Sequence, residues 1–320
     1  MAKLPKLLLP IFALLLIGLT SCSRPANGAS RSGIQNKGSD TLVNVAMAWS
    51  EAYGALRPEI PISVSGGGSG TGISAMIDGT VDIANSSREM KSQEIEAAKA
   101  NGIDPIKHVV GFDAIAVYVH KDNPIKSLTL KQLASIYGEV GEVTHWSQLG
   151  VELEGKADEI IRVSRQNNSG TYAYFKSVVI GKEGEYKLGS RDMHGSKDVV
   201  ETVGTALGAI GYSGLAYATD HVKLVPVIAG NGAAVVPSVD TAIDGSYPIA
   251  RPLLMYTAGQ PDGKVKEYLD WILGSEGQKI LRDEGYAPLR VVETDGSGYL
   301  EGVASGPVDG GSTFCGVHLT

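Results

Sequence analysis

The stretch that most restricts the fold is "PISVSGGGSGTGISAMIDG", Pro61–Gly79. A β-branched run enters a glycine cluster, and a segment of helical spacing leaves it. Two other segments share the design: "GSDT" (38–41) and "NNSGT" (167–171). Each follows a strand-like run, opens a helix-like one and sets hydroxyls beside glycine. A chain built of strand–polar loop–helix units folds as an open α/β sheet, with its ligand crevice at the C-terminal ends of the strands.

The rest of the chain repeats that grammar. Apolar residues at helical spacing run from Leu42 to Leu56, and Ser39, Asp40 and Thr41 stand where an N-cap is expected. "VDIAN" (Val81–Asn85) is a strand entering "SSREM", and "SQEIEAAKANG" is a charged helix stopped by Gly102. "HVVGFDAIAVYVH" is a long apolar strand ended by the turn "KDNP". "SLTLKQLASIYGE" is a helix with Thr129 as cap. "HWSQLG" reads as a surface turn. "YPIARPLLMY" is an apolar strand whose two prolines suit an edge or a crossing between lobes. "GKVKEYLDWILGSEGQKILRDEGYAPL" closes the fold with two helices. Beyond Arg290 the composition turns to Gly, Ser and Asp without periodicity, so residues 291–320 are expected to be a poorly ordered tail. The α/β pattern occurs once before "KDNP" and once after it, which predicts two lobes facing each other.

The three loops point to an anion. Glycine lets the backbone approach a ligand, and Ser and Thr supply hydroxyl donors. The free N–H groups and dipole of a helix start favour negative charge. A nucleotide loop is excluded by spacing. Gly67 and Gly72 are placed as in a P-loop, but Ile73 stands where its lysine must be. A dinucleotide fingerprint fails too, because its third glycine falls on Thr71 or Ile73. Arginine supplies charge. Arg165 ends the strand "IIRVS", four residues before Ser169, where its guanidinium can pair bidentately with an oxyanion. Arg88 stands in the same relation to "VDIAN".

The N-terminus gives an address. Lys3 and Lys6 precede "LLLPIFALLLIGLT", a run of signal-peptide length that is too short to span a membrane stably. It ends in "LTSC" (Leu19–Cys22), which resembles a bacterial lipobox and implies cleavage before Cys22 and lipidation of its thiol. Residues 1–21 are the signal peptide and 22–33 a flexible tether, so the chain is expected to be a membrane-anchored, extracytoplasmic lipoprotein. The other cysteine, Cys315, leaves no disulfide framework to draw. A net charge of −7 with no basic run argues against nucleic acid. His108, His120, His145 and His194 show no metal-ligand spacing, and no G-x-S-x-G elbow is present.

"GSDTL", "SGGGSGTGI", "DIANSSRE", "SRQNNSGTYAYF", "GAIGYSGLAY" and "YPIARPLLMY" lie in the order and spacing of one family. Over about residues 34–290 the chain resembles the phosphate-binding proteins of phosphate-specific ABC transporters, the PstS type. The resemblance implies a type II periplasmic binding protein: two α/β lobes, two hinge crossings and an anion cleft between them. The crossings are expected near Ala114–Tyr118 and Tyr247–Pro252, with lobe 1 built from 34–115 and 250–290 and lobe 2 from 116–249. It also implies that Thr41 and Leu42 meet the anion through backbone N–H and the Thr hydroxyl. Ser69 joins from the glycine loop, and Arg165, Ser169, Gly170 and Thr171 from the second lobe. Ser87, beside Arg88, occupies the position where well-known members carry an aspartate that accepts a hydrogen bond from the phosphate's own proton. Asp40 and Asp113 are the other candidate acceptors. The implied function is capture of inorganic phosphate by a monomer for an ABC permease, with no cofactor and no catalysis. The alternatives are another tetrahedral oxyanion such as sulfate or molybdate, a phosphate-sensing or adhesion lipoprotein, and, from a different class, an extracytoplasmic phosphatase.

Overall fold

The structure is a computed structural model that describes residues 33–153 and 157–289. The signal peptide, Cys22 and the tail 291–320 lie outside the described residues, as does the tether apart from Gly33. From Ile34 the chain alternates strand and helix: β1 (Ile34–Gly38), α1 (Val43–Leu56), β2 (Ile62–Ser65), α2 (Ser69–Ile77), β3 (Ile83–Ser86) and α3 (Ser92–Ala100). β1 pairs in parallel with β2 on one side and β3 on the other. Helix α1 buries Val45, Ala46, Trp49 and Tyr53, a stripe at helical spacing, against this sheet. Gly102 takes a φ of 73°, which suits the residue that stops α3.

β4 (Ile106–His120) then runs for 15 residues. The second half of the chain supplies β5 (Leu128–Thr129), α4 (Leu130–Tyr137), β6 (Ile161–Arg165), α5 (Gly170–Phe175), β7 (Arg191–Met193), α6 (Ser196–Gly204), β8 (Ala209–Gly214) and β9 (Val222–Val225). A π-helical turn, Lys176–Ile180, continues α5. After them come β10 (Val227–Ile228), β11 (Ala234–Val235), α7 (Val239–Ile243), β12 (Ala250–Thr257), α8 (Gly263–Leu273) and α9 (Ser275–Asp283). The main sheet runs β2-β1-β3-β12-β4-β8-β6-β7, with β9 also on β4; β11-β10-β5 form a small second sheet.

β4 is shared between two halves. Ile106–Ala114 pair antiparallel with β12, while Ile115–Val119 pair with β8 and Val117–His120 with β9. The apolar cores divide in the same way. Ile34, Trp49, Leu253, Met255, Tyr268 and Leu281 belong to one. Ile115, Leu133, Trp146, Phe175 and Tyr212 belong to another. The halves are therefore two lobes joined where β4 changes partner.

Two local expectations are narrowed or corrected. Of the two places suited to "YPIARPLLMY", an edge or a crossing between lobes, the edge is set aside, since β12 lies between β3 and β4. The β3 ladder covers only Leu254–Tyr256, so Pro252 sits where β12 has a partner on one side alone. "HWSQLG" is not a surface turn throughout, since Trp146 is fully buried and donates from Nε1 to the Gly208 carbonyl at 3.0 Å. Its single polar atom is satisfied inside the core, so a polar neighbourhood in sequence does not bring the ring to the surface.

Candidate functional site

The loops after β1, β2, β3 and β6 meet between the lobes. Ser39, Asp40 and Thr41 do not cap α1; no side chain caps that helix, and the Leu42 N–H donates to the Ser39 carbonyl at 3.0 Å. Their side chains are spent in the cleft instead. Ser39 Oγ donates to Ser87 Oγ at 2.9 Å. Asp40 Oδ1 accepts from Gly67 N at 2.9 Å. Thr41 Oγ1 lies 3.1 Å from Thr171 Oγ1, across the lobes. Leu42 buries its side chain in the first lobe's core.

The glycine loop turns at Gly67 and Gly68, whose φ values of 111° and 91° suit glycine. It delivers Ser69, whose Oγ accepts from Ser87 N at 3.1 Å and lies 3.4 Å from Ser87 Oγ. From the second lobe, Ser169 caps α5: its Oγ accepts from Thr171 N at 3.1 Å and Tyr172 N at 3.4 Å. Gly170 packs directly on the first lobe. A Cβ there would lie 2.4 Å from both Ser69 Oγ and Ser87 Oγ. Asn168 adds two bonds across the gap, from Nδ2 to Gly67 O at 3.0 Å and from Gly70 N to its own carbonyl at 3.1 Å. The structure thus brings Thr41, Ser69, Ser87, Arg165, Ser169, Gly170 and Thr171 into one cluster.

Three arginines border it, each with a carboxylate. Arg165 donates from Nη2 to Asp40 Oδ2 at 3.1 Å and to the His194 carbonyl at 2.8 Å, and from Nη1 to Ser196 Oγ at 2.9 Å. Its Nε is buried without a hydrogen-bond partner. Burial weakens its hold on its proton, with the Asp40 charge acting in the opposite sense. Arg88 forks onto Glu94, with Nη1 and Nη2 2.7 and 2.6 Å from its two oxygens. Burial pushes the Glu94 carboxyl up, but Arg88 and the Lys91 N–H outweigh it and hold the group below its ordinary range. Arg88 is therefore committed to its own lobe, although Gly70 lies beside its Nη2.

Sequence reasoning missed the third arginine. Arg251 on β12 is 1% exposed and donates from Nε and Nη2 to Asp113 Oδ2 at 3.1 and 2.8 Å. Nη1 reaches the Ser87 carbonyl at 3.1 Å, and Nη2 reaches Thr41 Oγ1 at 3.1 Å and Thr171 Oγ1 at 3.0 Å. Burial raises the Asp113 carboxyl while the Arg251 charge pulls it down. The available signal is an arginine and an aspartate each set inside an apolar strand, a placement that costs several kcal/mol per unpaired ion, on the order of magnitude expected for burial. Among the described residues no group of three or more His, Cys, Asp or Glu could hold a metal ion.

The hydroxyls share one electronic arrangement. Ser69, Ser169, Thr41 and Thr171 each accept from an N–H, and Ser87 accepts from Ser39. Each hydroxyl has one proton to donate; one is spent within each close pair, Thr41–Thr171 and Ser69–Ser87, and the others are free to turn to a ligand. The Leu42 N–H expected at the anion is not among these donors, since it and the Val43 N–H are bonded to the Ser39 and Asp40 carbonyls; the ring of hydroxyls with an arginine is suited to a small oxyanion.

Fold and site together define a ligand-binding protein of the periplasmic type, and the family profile of the PBP superfamily domain matches residues 23–276. The phosphate-binding protein PstS of Pseudomonas aeruginosa is 35% identical over 82% of this chain and 85% of its own. The protein SphX of Synechococcus elongatus is 33% identical over 82% of this chain and 79% of its own. A crystal structure of a substrate-binding protein with bound phosphate from Clostridium perfringens superposes with a TM-score of 0.71 at 30% identity, covering 81% of this chain and all of that one. An ABC-type phosphate transport receptor from Vibrio cholerae gives 0.64 at 25% identity, over 80% of this chain. The chain belongs to the PstS family of phosphate-binding proteins.

Proposed function

We propose that this chain captures inorganic phosphate between its lobes and delivers it to an ABC permease, held to the membrane by lipid on Cys22. The observation that carries the reading is the ring of loaded hydroxyls, drawn from both lobes and closed by Arg165. The anion is held by Thr41, Ser69, Ser87, Ser169 and Thr171, with Gly170 allowing the approach. The Arg165 Nε, left over after Asp40, Ser196 and His194 are served, is a further donor. The names of the relatives support the same ligand class.

Binding is a matter of closure. An anion that touches both lobes stabilises the closed state over the open one, and lobe 2 rotates on lobe 1 about Asp113–Ile115 and Ala250–Arg251. The permease reads the closed form. Each arginine near the cleft already faces a carboxylate, so hydroxyl and amide dipoles bear much of the anion's charge. The protein works as a monomeric, extracytoplasmic binder without cofactor or turnover.

One observation favours a second reading. Ser87 is neutral, and the Asp40 and Asp113 carboxylates are both engaged by arginines. Of their oxygens Asp113 Oδ1 alone, buried without a hydrogen-bond partner, is left to accept from a protonated ligand, and a site that leaves it unused also suits sulfate. Calorimetric titration of the purified protein with phosphate and with sulfate, from pH 6 to 9, separates the two. Phosphate is expected to bind at least about 100-fold more tightly, a difference near 2.7 kcal/mol. Equal competition by sulfate replaces the ligand assignment.

A further inference from the structure

We propose that Arg251 is the positioning residue of the anion site: a cation on the hinge strand that collects one hydroxyl from each lobe and orients both toward the ligand. The inference rests on the phosphate reading above and goes beyond its ligand set. Arg251 stands at the start of β12, beside the changeover of β4, where motion of one lobe against the other is least. It is pinned there by Asp113, its register partner on β4, through two hydrogen bonds to Oδ2. From that fixed point Nη2 meets Thr41 of lobe 1 and Thr171 of lobe 2, while Nη1 holds the Ser87 carbonyl.

Three consequences follow from the chemistry. A guanidinium only donates, and Nη2 has two hydrogens for three acceptors, so with Asp113 Oδ2 taking one the two threonine oxygens share the other, and their own protons are left for each other or the ligand. The two oxygens are 3.1 Å apart, so one nitrogen sets both at the spacing of adjacent donors to a single small anion. Thr41 and Thr171 can share that nitrogen only when the lobes are closed. Arg251 therefore links hinge position to hydroxyl orientation, and the closed state is assembled around the cation before the anion's own charge is counted. The Tyr174 ring, 6.0 Å from its guanidinium carbon, covers one side with an aromatic face.

The test uses the full chain and inorganic phosphate. Arg251→Lys keeps the charge but loses the planar fork, and Asp113→Asn with Arg251→Met removes both buried charges together, so that no ion is stranded. Each is combined with Thr41→Val plus Thr171→Val. Circular dichroism and unliganded melting establish that each variant folds. Calorimetry reads affinity. Both Arg251 variants are expected to weaken phosphate binding by 30-fold or more in the wild-type background, but by under threefold once both threonines are valines. A structural role alone gives the same loss in both backgrounds, and that result overturns the proposal. So does wild-type affinity in a folded Asp113→Asn/Arg251→Met protein; if that protein does not fold, Arg251→Lys decides by the same criterion. A wild-type protein that fails to bind phosphate instead overturns the reading of the preceding section, and this inference with it.

Discussion

Arg88 and Arg165 occupy the same place in the sequence grammar, just after or at the end of a strand and shortly before a helix. Their partners differ. Glu94 is six residues from Arg88 and in the same lobe. Asp40 is 125 residues from Arg165 and in the other. The first pair anchors α3 to its own sheet and is indifferent to closure. The second exists only while the lobes touch. What assigns an arginine to the cleft is the origin of its carboxylate, and local spacing does not carry that information.

The largest expected effect of breaking this contrast is on ligand binding. Arg165→Ala removes the cation that the second lobe sets against Asp40 and leaves that carboxylate unpaired beside the cleft. Phosphate affinity should fall by about 2–5 kcal/mol, whereas Arg88→Met should leave it within about 1 kcal/mol. Titration calorimetry on the two proteins decides, and equal losses would erase the distinction. A middle-sized effect is expected on shape. Asp40→Asn removes the ionic part of the bridge, worth about 1–3 kcal/mol for a charged hydrogen bond. Without phosphate, small-angle scattering should then show a larger radius of gyration than wild type, while Glu94→Gln changes nothing. A D40N protein as compact as wild type would mean that the remaining contacts hold the lobes.

The smallest effect is on acid stability. Glu94 is held below its ordinary range, so its pair with Arg88 contributes stability that is full above the usual Glu value of about 4.3 and is lost as pH falls through the lowered one. Melting temperatures between pH 6 and 3 should fall more steeply in wild type than in an Arg88→Met, Glu94→Gln double variant. Parallel curves would show that the pair is not felt in folding.

Most of the architecture is legible in sequence because its signals are local. A β-branched run, a glycine turn and a helical stripe lie within about twenty residues, and Thr129 caps α4 as its spacing predicts. Ser169 is legible for the same reason. The rest is long-range. "GSDT" looks like a cap because Ser, Asp and Thr are capping residues, yet their partners Ser87, Gly67, Arg165 and Thr171 come from three other loops and the end of β6. Arg251 meets Thr41 across 210 positions, and no periodicity reports a contact of that length. Its burial is foreshadowed only by the oddity of a charge between two prolines in an apolar strand. Trp146 shows the reverse error, a core residue hidden among polar neighbours.

β12 enters the sheet between β3 and β4, and α8 and α9 follow it into the first lobe's core. The lobe begun earliest along the chain is therefore the last to be finished. Its central strand arrives only after the whole of the second lobe has been made, and until then β3 and β4 each present an unpaired ladder. Such pairings join residues about 150 apart, as Ile106 with Thr257. Loops of that span close slowly. In the connectivity of the chain the second lobe is an insertion, and the two ends of its host can pair only once that insertion has been spanned.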